Sequence, residues 1–329
     1  MIQLIDSFNR PINYLRMSIT DRCNLRCIYC MPKEGLSLIG HDDILRYEEL
    51  LRIAGIVVKK GVTKIRITGG EPLVRKGVVQ FVSALSGIAG VQDLSMTTNG
   101  LMLSEAALPL RSAGLKRLNI SLDSLNPEKY RKITRGGDIS QLIAGIKRAQ
   151  EAGFSPIKIN VVVIRGINDD EITAFAKLSL EKNLHIRFIE YMPVGMENGW
   201  EQKQFVATEE IQQRVKTIGP LIELPSDNGS GPAHMYTIAG AQGKLGFISA
   251  LSDHFCATCN RLRLTPDGKL RTCLFSDAEV DLKVPMRDGC SDEVLADIIN
   301  TAILSKPRKH HAAEPVFKKC IRGMSAIGG

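Results

Sequence analysis

The sequence predicts an α/β protein whose larger part is an open, partial parallel β/α barrel of about six units. Short segments in which polar and apolar residues alternate recur between residue 15 and about residue 191. Longer amphipathic segments separate them, and repeated strand and helix at this spacing is typical of a parallel sheet with helices outside it. Six units fall short of the eight in a closed barrel, so we expect the barrel to stay open.

The predicted elements follow one another in a regular order. The strands are residues 15–20, 64–68, 93–98, 116–122, 157–163 and 184–190. Amphipathic helices are predicted at residues 47–60, 78–87, 105–113, 139–152 and 171–182. Glycine and proline are frequent between residues 193 and 245, which is typical of loops. We therefore place a domain boundary near residue 200, with the barrel in 1–200 and a smaller C-terminal region in 201–329.

One face of the predicted strands is polar, although parallel strands covered on both faces are normally apolar throughout. Arg16, Arg66 and Lys158 lie on this face, and they alternate with apolar residues such as Ile65 and Ile67. A barrel lined with cations cannot pack as a dry core, because desolvating them without partners costs several kcal/mol. The pattern therefore predicts a large, anionic ligand inside the barrel. The alternative, a sheet half exposed to solvent, fits the amphipathic helices less well.

Composition limits the class of protein. The chain has 329 residues, of which 44% are apolar, enough for a buried core. No apolar run approaches the roughly 20 residues that span a bilayer, and the first residues lack a signal-peptide layout, so we expect a cytoplasmic protein without a membrane partner. In that compartment eight cysteines favour metal binding over disulfides. The net charge of +8 fits nucleic acid, membrane phosphate or a polyphosphate ligand and does not separate them.

Three cysteines, Cys23, Cys27 and Cys30, lie close together after the first predicted strand and form what we call the N-terminal trio. Random placement would give this spacing with odds on the order of one in a few hundred, so we interpret it as a metal site. A structural zinc needs four ligands, whereas a 4Fe-4S cluster held by three cysteines has one iron free to bind a substrate. A zinc completed by His41 or a distant cysteine stays open as the alternative. Tyr29, directly before the last cysteine, could pack against whatever the open iron holds.

A second group, Cys256, Cys259 and Cys273, forms the C-terminal trio. Turn residues at 266–269 separate two alternating runs, so we expect a β-hairpin that brings Cys273 back toward the other two cysteines. We favour a second cluster with one open iron. The alternative is a zinc ion, with a fourth ligand from one of three residues. These are His254, Cys290 and Cys320.

Two arginines directly follow the second cysteine of the C-terminal trio. Arg261 and Arg263 are two residues apart on a predicted strand, so both side chains project from one face. The rigid donor fork of arginine suits phosphate oxygens better than a lysine does. This pair could therefore bind the phosphates of a nucleotide whose other end contacts the metal. A solvated basic strand face is the alternative.

The N-terminal trio, with three and two residues between its cysteines, resembles the signature of the radical S-adenosylmethionine enzymes. The resemblance implies that the trio carries a 4Fe-4S cluster, that S-adenosylmethionine chelates the open iron, and that its cleavage gives a 5′-deoxyadenosyl radical. The sequence 69–72, Gly-Gly-Glu-Pro, follows the second strand and is similar to the motif of this superfamily that meets the methionine end of the cofactor. The implied cofactor-binding residues are Tyr29, Gly70, Glu71, Ser121 and Met192.

Together the two trios resemble one branch of that superfamily, the lyases that cyclise GTP in molybdenum cofactor biosynthesis. The resemblance extends from Arg16 to the terminal Gly328 and Gly329. It implies that the second cluster binds guanine, that the radical takes hydrogen from C3′ of the ribose, and that the sugar radical adds to guanine C8. The product would be 3′,8-cyclo-7,8-dihydroguanosine 5′-triphosphate. The implied GTP-binding residues are Arg16, Arg66, Thr97, Lys158, Arg261 and Arg263.

The same resemblance implies partners and a role for the C-terminal tail. A reductant protein would supply electrons, a downstream enzyme would turn the product into the pyranopterin, and the tail would reach into the active site. The oligomeric state stays open, a homodimer included. Two other functions stay open as alternatives: a peptide-modifying radical enzyme with an auxiliary cluster, and a zinc-stabilised nucleic-acid binder. With 5% aromatic residues the chain has few side chains on which bases could stack, so we expect no nucleic-acid partner.

Overall fold

The computed structural model describes residues 3–195, 199–225, 231–312 and 319–328. The strands are β1 (Tyr14–Ser18), β2 (Lys64–Thr68), β3 (Asp93–Thr98), β4 (Arg117–Ser121), β5 (Ile157–Val163), β6 (Leu184–Glu190), β7 (Ile222–Glu223), β8 (His234–Thr237), β9 (Lys244–Ile248), β10 (Arg261–Leu264), β11 (Lys269–Arg271) and β12 (Val280–Asp281). In the described residues they form one 12-stranded sheet in the order β12-β11-β10-β1-β2-β3-β4-β5-β6-β9-β8-β7.

The six strands predicted from the sequence are all present and pair in parallel in chain order. The predicted hairpin is also present, because β10 and β11 pair antiparallel. Two parallel pairings were not predicted: β10 lies beside β1, and β9 lies beside β6. The C-terminal region therefore extends both edges of the barrel sheet. The prediction of an open, partial barrel is confirmed.

Helices follow the strands of the barrel and cover the outer face of the sheet, whereas the last helix, α10, belongs to the C-terminal tail. Their bounds are α1 (Tyr47–Lys59), α2 (Val78–Ser86), α3 (Leu103–Ser112), α4 (Pro127–Thr134), α5 (Ile139–Glu151), α6 (Ile172–Glu181), α7 (Thr208–Lys216), α8 (Lys283–Arg287), α9 (Asp292–Leu304) and α10 (Met324–Ile327). Several begin at side-chain caps that satisfy free N–H groups. Asn126 accepts from Lys129 N ahead of α4, and Asp138 accepts from Ser140 N ahead of α5.

The alternation along the strands separates a dry outer face from a polar inner face. Ile65, Ile67, Leu118 and Ile120 are fully buried in the hydrophobic core that the helices cover. Their neighbours in sequence point into the barrel, where register places Arg16 of β1 beside both Arg66 of β2 and Arg263 of β10. No helix of the described ranges is long and apolar enough to span a membrane.

Candidate active site

A cavity inside the barrel brings the two trios together. It encloses about 1900 Å³ of space that no atom fills, part of which opens to solvent. The residues that line it include most of those predicted from the sequence: Arg16, Tyr29, Arg66, Gly70, Thr97, Ser121, Met192, Arg261, Arg263 and the six cysteines of both trios. Glu71 and Lys158 are not among the lining residues.

The two trios enter this cavity from opposite ends of the barrel. β1 and β10 run parallel, with Tyr14 beside Arg261 where both strands begin. Cys259 comes before β10, whereas Cys23 comes after β1. The five residues of β1 alone span roughly 13 Å at about 3.3 Å per residue. A ligand of nucleotide length could therefore lie between the trios.

The N-terminal trio has the electrostatics of a site that needs a cation. Burial raises the pKa of Cys27 well above its ordinary value, and Cys30, Asp123 and Cys23 act in the same direction. Burial, with a further contribution from Cys23, raises the pKa of Cys30 to about 12. Three thiolates cannot coexist in such surroundings unless positive charge lies among them, and bound iron supplies it. The donor set therefore fits an iron–sulfur cluster.

Neither trio is arranged around a single ion. In the described ranges, no three or more His, Cys, Asp and Glu side chains lie close enough together to hold one metal ion. A cubic cluster is bound through separate irons, so its cysteines need not converge on one point.

Tyr29 is fixed by a buried carboxylate. Its hydroxyl donates to Asp123 Oδ2 at 2.7 Å, and Val162 N donates to Asp123 Oδ1 at 2.8 Å. Burial raises the pKa of Asp123 to about 6, although both hydrogen bonds act to lower it. Sequence reasoning assigned no role to Asp123. The contact orients the aromatic ring next to the last cysteine of the trio.

Gly70 and Glu71 hold the loop of the N-terminal trio against the neighbouring strand ends. A Cβ on Gly70 would overlap the main-chain carbonyls of Arg22 and Asp21, so the close approach that needs glycine here is to protein backbone. Glu71 is 1% exposed and accepts from Leu73 N, Asn99 N and Thr98 Oγ1. Burial raises its pKa to about 7, against the effect of these donors. The Glu71 carboxylate thus holds the backbone at residues 73 and 99 in place, and its contact with the cofactor remains a prediction.

Cations form the wall between the trios. Burial lowers the pKa of Arg16 and of Arg187 to about 9, and Arg66 contributes to each shift. Burial lowers the pKa of Arg263 well below its ordinary value, with help from Arg16 and Arg261. Buried like charges at this density destabilise one another unless an anion lies among them. The wall therefore fits a ligand with several negative charges, as the sequence predicted.

Three buried polar atoms on this wall have no hydrogen-bond partner in the described part of the chain. They are Thr97 Oγ1, Asn160 Oδ1 and Arg187 Nε. All three residues line the cavity. Buried polar groups are almost always hydrogen-bonded in native proteins, so unsatisfied atoms that face a cavity indicate ligand contacts. Sequence reasoning named Thr97 but did not assign a site role to Asn160 or Arg187.

Lys158 lies on β5 and is not among the residues that line the cavity. It is 9% exposed, and burial lowers its pKa to about 6, with contributions from Arg187 and Arg117. Register places it beside Asn119 of β4 and His185 of β6. Its side chain belongs to the polar inner face of the sheet. The predicted contact with GTP remains a prediction.

The C-terminal trio surrounds the start of the hairpin. Arg261 Nη2 lies 3.8 Å from Cys259 Sγ, and the guanidinium of Arg261 lies 4.6 Å from the centre of the Phe255 ring. Burial acts to raise the pKa of Cys259, but the charges of Arg261 and Lys306 outweigh it and lower that pKa to about 6. A thiolate is therefore favoured at this position, and thiolates are the form that binds metal.

Glu190 is a residue that sequence reasoning missed. At the end of β6 it accepts from Thr208 N, Leu251 N and Ser252 N at 2.9, 2.8 and 3.1 Å. It also lines the cavity. Its carboxylate thereby joins the barrel to the loop that leads to Cys256. A single acidic residue at a strand end gave no sequence signal of this role.

The C-terminal tail lies inside the barrel. Gly328 is buried with φ of 87°, and a Cβ there would overlap Thr68 Oγ1 and lie 2.9 Å from Ser18 Cβ. Met324 and Ser325 of α10 line the cavity. Arg322 pairs with Asp267 at 2.7 Å and so anchors the tail to the hairpin turn. Gly329 lies outside the described residues.

Two family models match the chain and divide it between them. The Radical SAM superfamily matches residues 17–179, and Molybdenum Cofactor Synthesis C matches residues 184–312. The first region contains the N-terminal trio and the second contains the C-terminal trio.

Full-length relatives carry one common name, GTP 3′,8-cyclase. The protein of that name from Thermodesulfovibrio yellowstonii is 53% identical over 98% of this chain and 99% of its own length. The proteins of that name from Heliobacterium modesticaldum and Moorella thermoacetica are each 50% identical, over 99% and 98% of this chain and 100% and 99% of their own lengths.

A solved structure supports the fold. The crystal structure of Streptococcus suis SuiB bound to S-adenosylmethionine matches with a TM-score of 0.64 over 91% of this chain and 69% of that one, at 15% identity. That likeness bears on the architecture alone. The full-length identities to the named relatives show the family of this chain. They confirm the prediction from the sequence, a radical enzyme of molybdenum cofactor biosynthesis. This chain belongs to the GTP 3′,8-cyclase family of the radical S-adenosylmethionine superfamily.

Proposed function

We propose that this chain converts GTP to 3′,8-cyclo-7,8-dihydroguanosine 5′-triphosphate, the first step of molybdenum cofactor biosynthesis. The observation that carries the proposal is the shared cavity, since both cysteine trios and five arginines line it. The reaction joins two distant atoms of one nucleotide, the ribose C3′ and the guanine C8. A cationic cavity with a metal site at each end could hold the whole molecule in one orientation.

Two 4Fe-4S clusters are part of the proposal. Cys23, Cys27 and Cys30 would hold one, and the C-terminal trio would hold the other. When bound, the first cluster and S-adenosylmethionine supply the electron and the 5′-deoxyadenosyl group that removes hydrogen from C3′. The three thiols of the C-terminal trio line the same cavity as those of the first, which supports the second cluster. The residues proposed to contact S-adenosylmethionine are Tyr29, Gly70, Glu71, Ser121 and Met192.

The chain's own contribution is to bind and orient the nucleotide. Arg16, Arg66 and Arg263 form a row across three adjacent strands, and their guanidinium groups suit the triphosphate. Thr97 Oγ1 and Arg187 Nε, which lack partners in the described residues, would donate to the ligand. Arg261, next to Cys259, would place the guanine end at the C-terminal trio. Lys158 is proposed as a further cation for the phosphates.

The tail would limit access of water to the reacting sugar. Gly328 occupies the space between Ser18 and Thr68, and Met324 lines the cavity. Exclusion of water protects a reactive intermediate from side reactions. Only a residue without a side chain fits at position 328.

Further proposals concern organisation and partners. We place the boundary between the barrel and the C-terminal region near residue 200. An electron-donating protein and an enzyme that converts the cyclic product to the pyranopterin would be the protein partners, and a homodimer is compatible with this function. The cytoplasm is the proposed compartment, because cysteine ligands stay reduced there.

Anaerobic incubation of the reconstituted protein tests the proposal. We expect roughly eight irons per chain for two clusters. We also expect 5′-deoxyadenosine and the cyclic nucleotide to form when GTP, S-adenosylmethionine and a reductant are all present, and no cyclic product when ATP replaces GTP. Zinc in place of iron, or 5′-deoxyadenosine without any cyclic nucleotide, would contradict the proposal.

A further inference from the structure

A buried lysine lies next to the C-terminal trio. Lys306 lies two residues after the end of α9 and is 3% exposed. Its Nζ donates to the main-chain carbonyl of Arg261 at 3.1 Å and to that of Thr272. Lysine side chains are seldom this buried unless their charge has a use.

Arg261 is the first residue of β10, and Thr272 directly follows β11, so the two carbonyls lie at the end of the hairpin where the cysteines are. The β10–β11 ladder pairs Leu264 with Leu270 and Arg263 with Arg271 and extends no further. Cys259 and Cys273 lie beyond the last pair, so no ladder hydrogen bond fixes the distance between them. The ammonium group of Lys306 joins the two strands there instead.

A second cation, Arg10, contacts the backbone at the remaining cysteine of the trio, Cys256. Arg10 donates from Nη1 to Cys256 O at 2.7 Å and to Arg308 O at 3.0 Å, and from Nη2 to Pro307 O at 2.8 Å. It therefore ties the first cysteine of the trio to the segment that follows Lys306. Two cations thus hold the backbone around all three cysteines.

The positive charge of Lys306 can interact with negative charge at the trio, which a neutral residue could not do. Burying an ammonium group is unfavourable unless opposite charge compensates it. Cys259 and Cys273 are close enough to interact electrostatically with Lys306. Thiolate ligands and the cluster that they hold carry net negative charge, and nearby charge is one of the factors that set a cluster's reduction potential.

We propose that Lys306 is a positioning residue of the C-terminal trio: it holds Cys259 and Cys273 at cluster-binding distance and offsets the negative charge of the bound cluster. The inference rests on the proposed function, because it requires a cluster at this trio. Lys306 would then control the properties of the cluster, although it lies far in sequence from the cysteine motif.

The test isolates the C-terminal cluster in the full-length chain. Cys23→Ser, Cys27→Ser and Cys30→Ser together remove the ligands of the first cluster, and anaerobic reconstitution should then give about four irons per chain. In this background we expect Lys306→Met to lose at least half of that iron or to hold the cluster at a more negative reduction potential. Lys306→Arg, which keeps the charge, should restore iron content and potential.

A matched control comes from the same hairpin. Lys269 pairs with Asp281, both side chains being partly exposed, and Lys269→Met should leave iron and potential unchanged. Lys306→Gln keeps a donor for the carbonyls without the charge, so it should bind iron but shift the potential in the same direction as Lys306→Met. Circular dichroism of the same samples reports whether each variant is folded.

The outcomes distinguish this inference from the proposed function. A folded Lys306→Met or Lys306→Gln with the iron content and potential of the background would overturn the role of Lys306 alone. A background chain that binds no iron would overturn the second cluster, and with it this inference.

Discussion

Arg263 Nη1 donates a hydrogen bond of 2.6 Å to the main-chain carbonyl of Gly328. The arginine lies on β10 beside Arg16 of β1, and the glycine is the last described residue of the chain. Both are buried. The tail therefore fixes the orientation of an arginine that is proposed to bind GTP.

This contact predicts that Gly328→Ala impairs GTP binding. The added methyl group would overlap Thr68 Oγ1, so the tail must move and release Arg263. We expect KM for GTP to rise about 10-fold with little change in S-adenosylmethionine binding, because one charge-assisted hydrogen bond is disturbed. Steady-state kinetics with each substrate varied in turn would measure this.

Gly166→Ala is the control for backbone strain. Gly166 also has positive φ, 74°, but no atom lies within 4 Å of a Cβ there. Both variants carry the conformational penalty, and only Gly328→Ala adds the overlap. Equal kinetic effects in the two variants would contradict a specific role for the tail.

Arg261→Ala and Arg263→Ala should each weaken GTP binding in protein that holds both clusters. A charge-assisted hydrogen bond contributes about 1.5–3 kcal/mol, which corresponds to about 10- to 100-fold in Kd. Equilibrium binding of GTP to the reconstituted protein measures the effect. Arg148→Ala provides the comparison, since Arg148 pairs with Glu151 on the exposed surface of α5. Unchanged GTP affinity in the double variant would refute the assignment of both arginines to the nucleotide site.

Replacing a cysteine of each trio should affect different steps of the reaction. Cys27→Ser should abolish cleavage of S-adenosylmethionine, because the cluster that supplies the electron would lose a ligand. Cys273→Ser should leave some cleavage, measured as 5′-deoxyadenosine, but no cyclic nucleotide. Cys290→Ser, at a cysteine outside both trios, should retain both activities. Full-rate cyclisation by Cys273→Ser would show that the C-terminal trio does not hold the substrate.

The low pKa of Lys158 predicts a pH dependence of GTP binding. In the free protein this pKa is about 6, so the side chain is mostly neutral above pH 7. A bound triphosphate would raise the pKa, and binding would then take up a proton, so affinity should fall as pH rises, by up to about 10-fold per unit.

Titration of GTP binding between pH 7 and 8 tests this, because the terminal phosphate is already ionised there and Arg16 and Arg187, whose pKa is about 9, stay mostly charged. Lys158→Met should remove the slope and give weak, pH-independent binding. A slope that persists in Lys158→Met would assign the proton to another group and leave Lys158 without a role in binding.

Local patterns in the sequence were enough to predict the barrel strands. Each of the six strands alternates between an apolar face and a polar face, and this period-2 pattern depends only on neighbouring residues. Ile65 and Ile67 alternate in the sequence with the polar residues of the second strand, and both are buried in the core. The pairings of β9 with β6 and β10 with β1 depend on contacts between residues distant in sequence, which no local pattern records.

The same limit applies to the site. Cysteine spacing and the polar strand faces identified residues that line the cavity, but not the residues that hold them in place. Asp123 orients Tyr29, Glu190 binds the loop before Cys256, and Lys306 joins the hairpin strands. Each is a single charged residue whose partner lies on another element, so its role is visible only once the chain is folded.

Transfer of deuterium from the ribose of GTP to 5′-deoxyadenosine tests most directly whether one cavity serves both trios. If the nucleotide lies between them with its sugar toward the N-terminal trio, GTP deuterated at C3′ should give one deuterium in each 5′-deoxyadenosine formed with the cyclic product. GTP deuterated at C2′ should give none. Unlabelled 5′-deoxyadenosine from the C3′-deuterated substrate, or label from C2′, would contradict this arrangement.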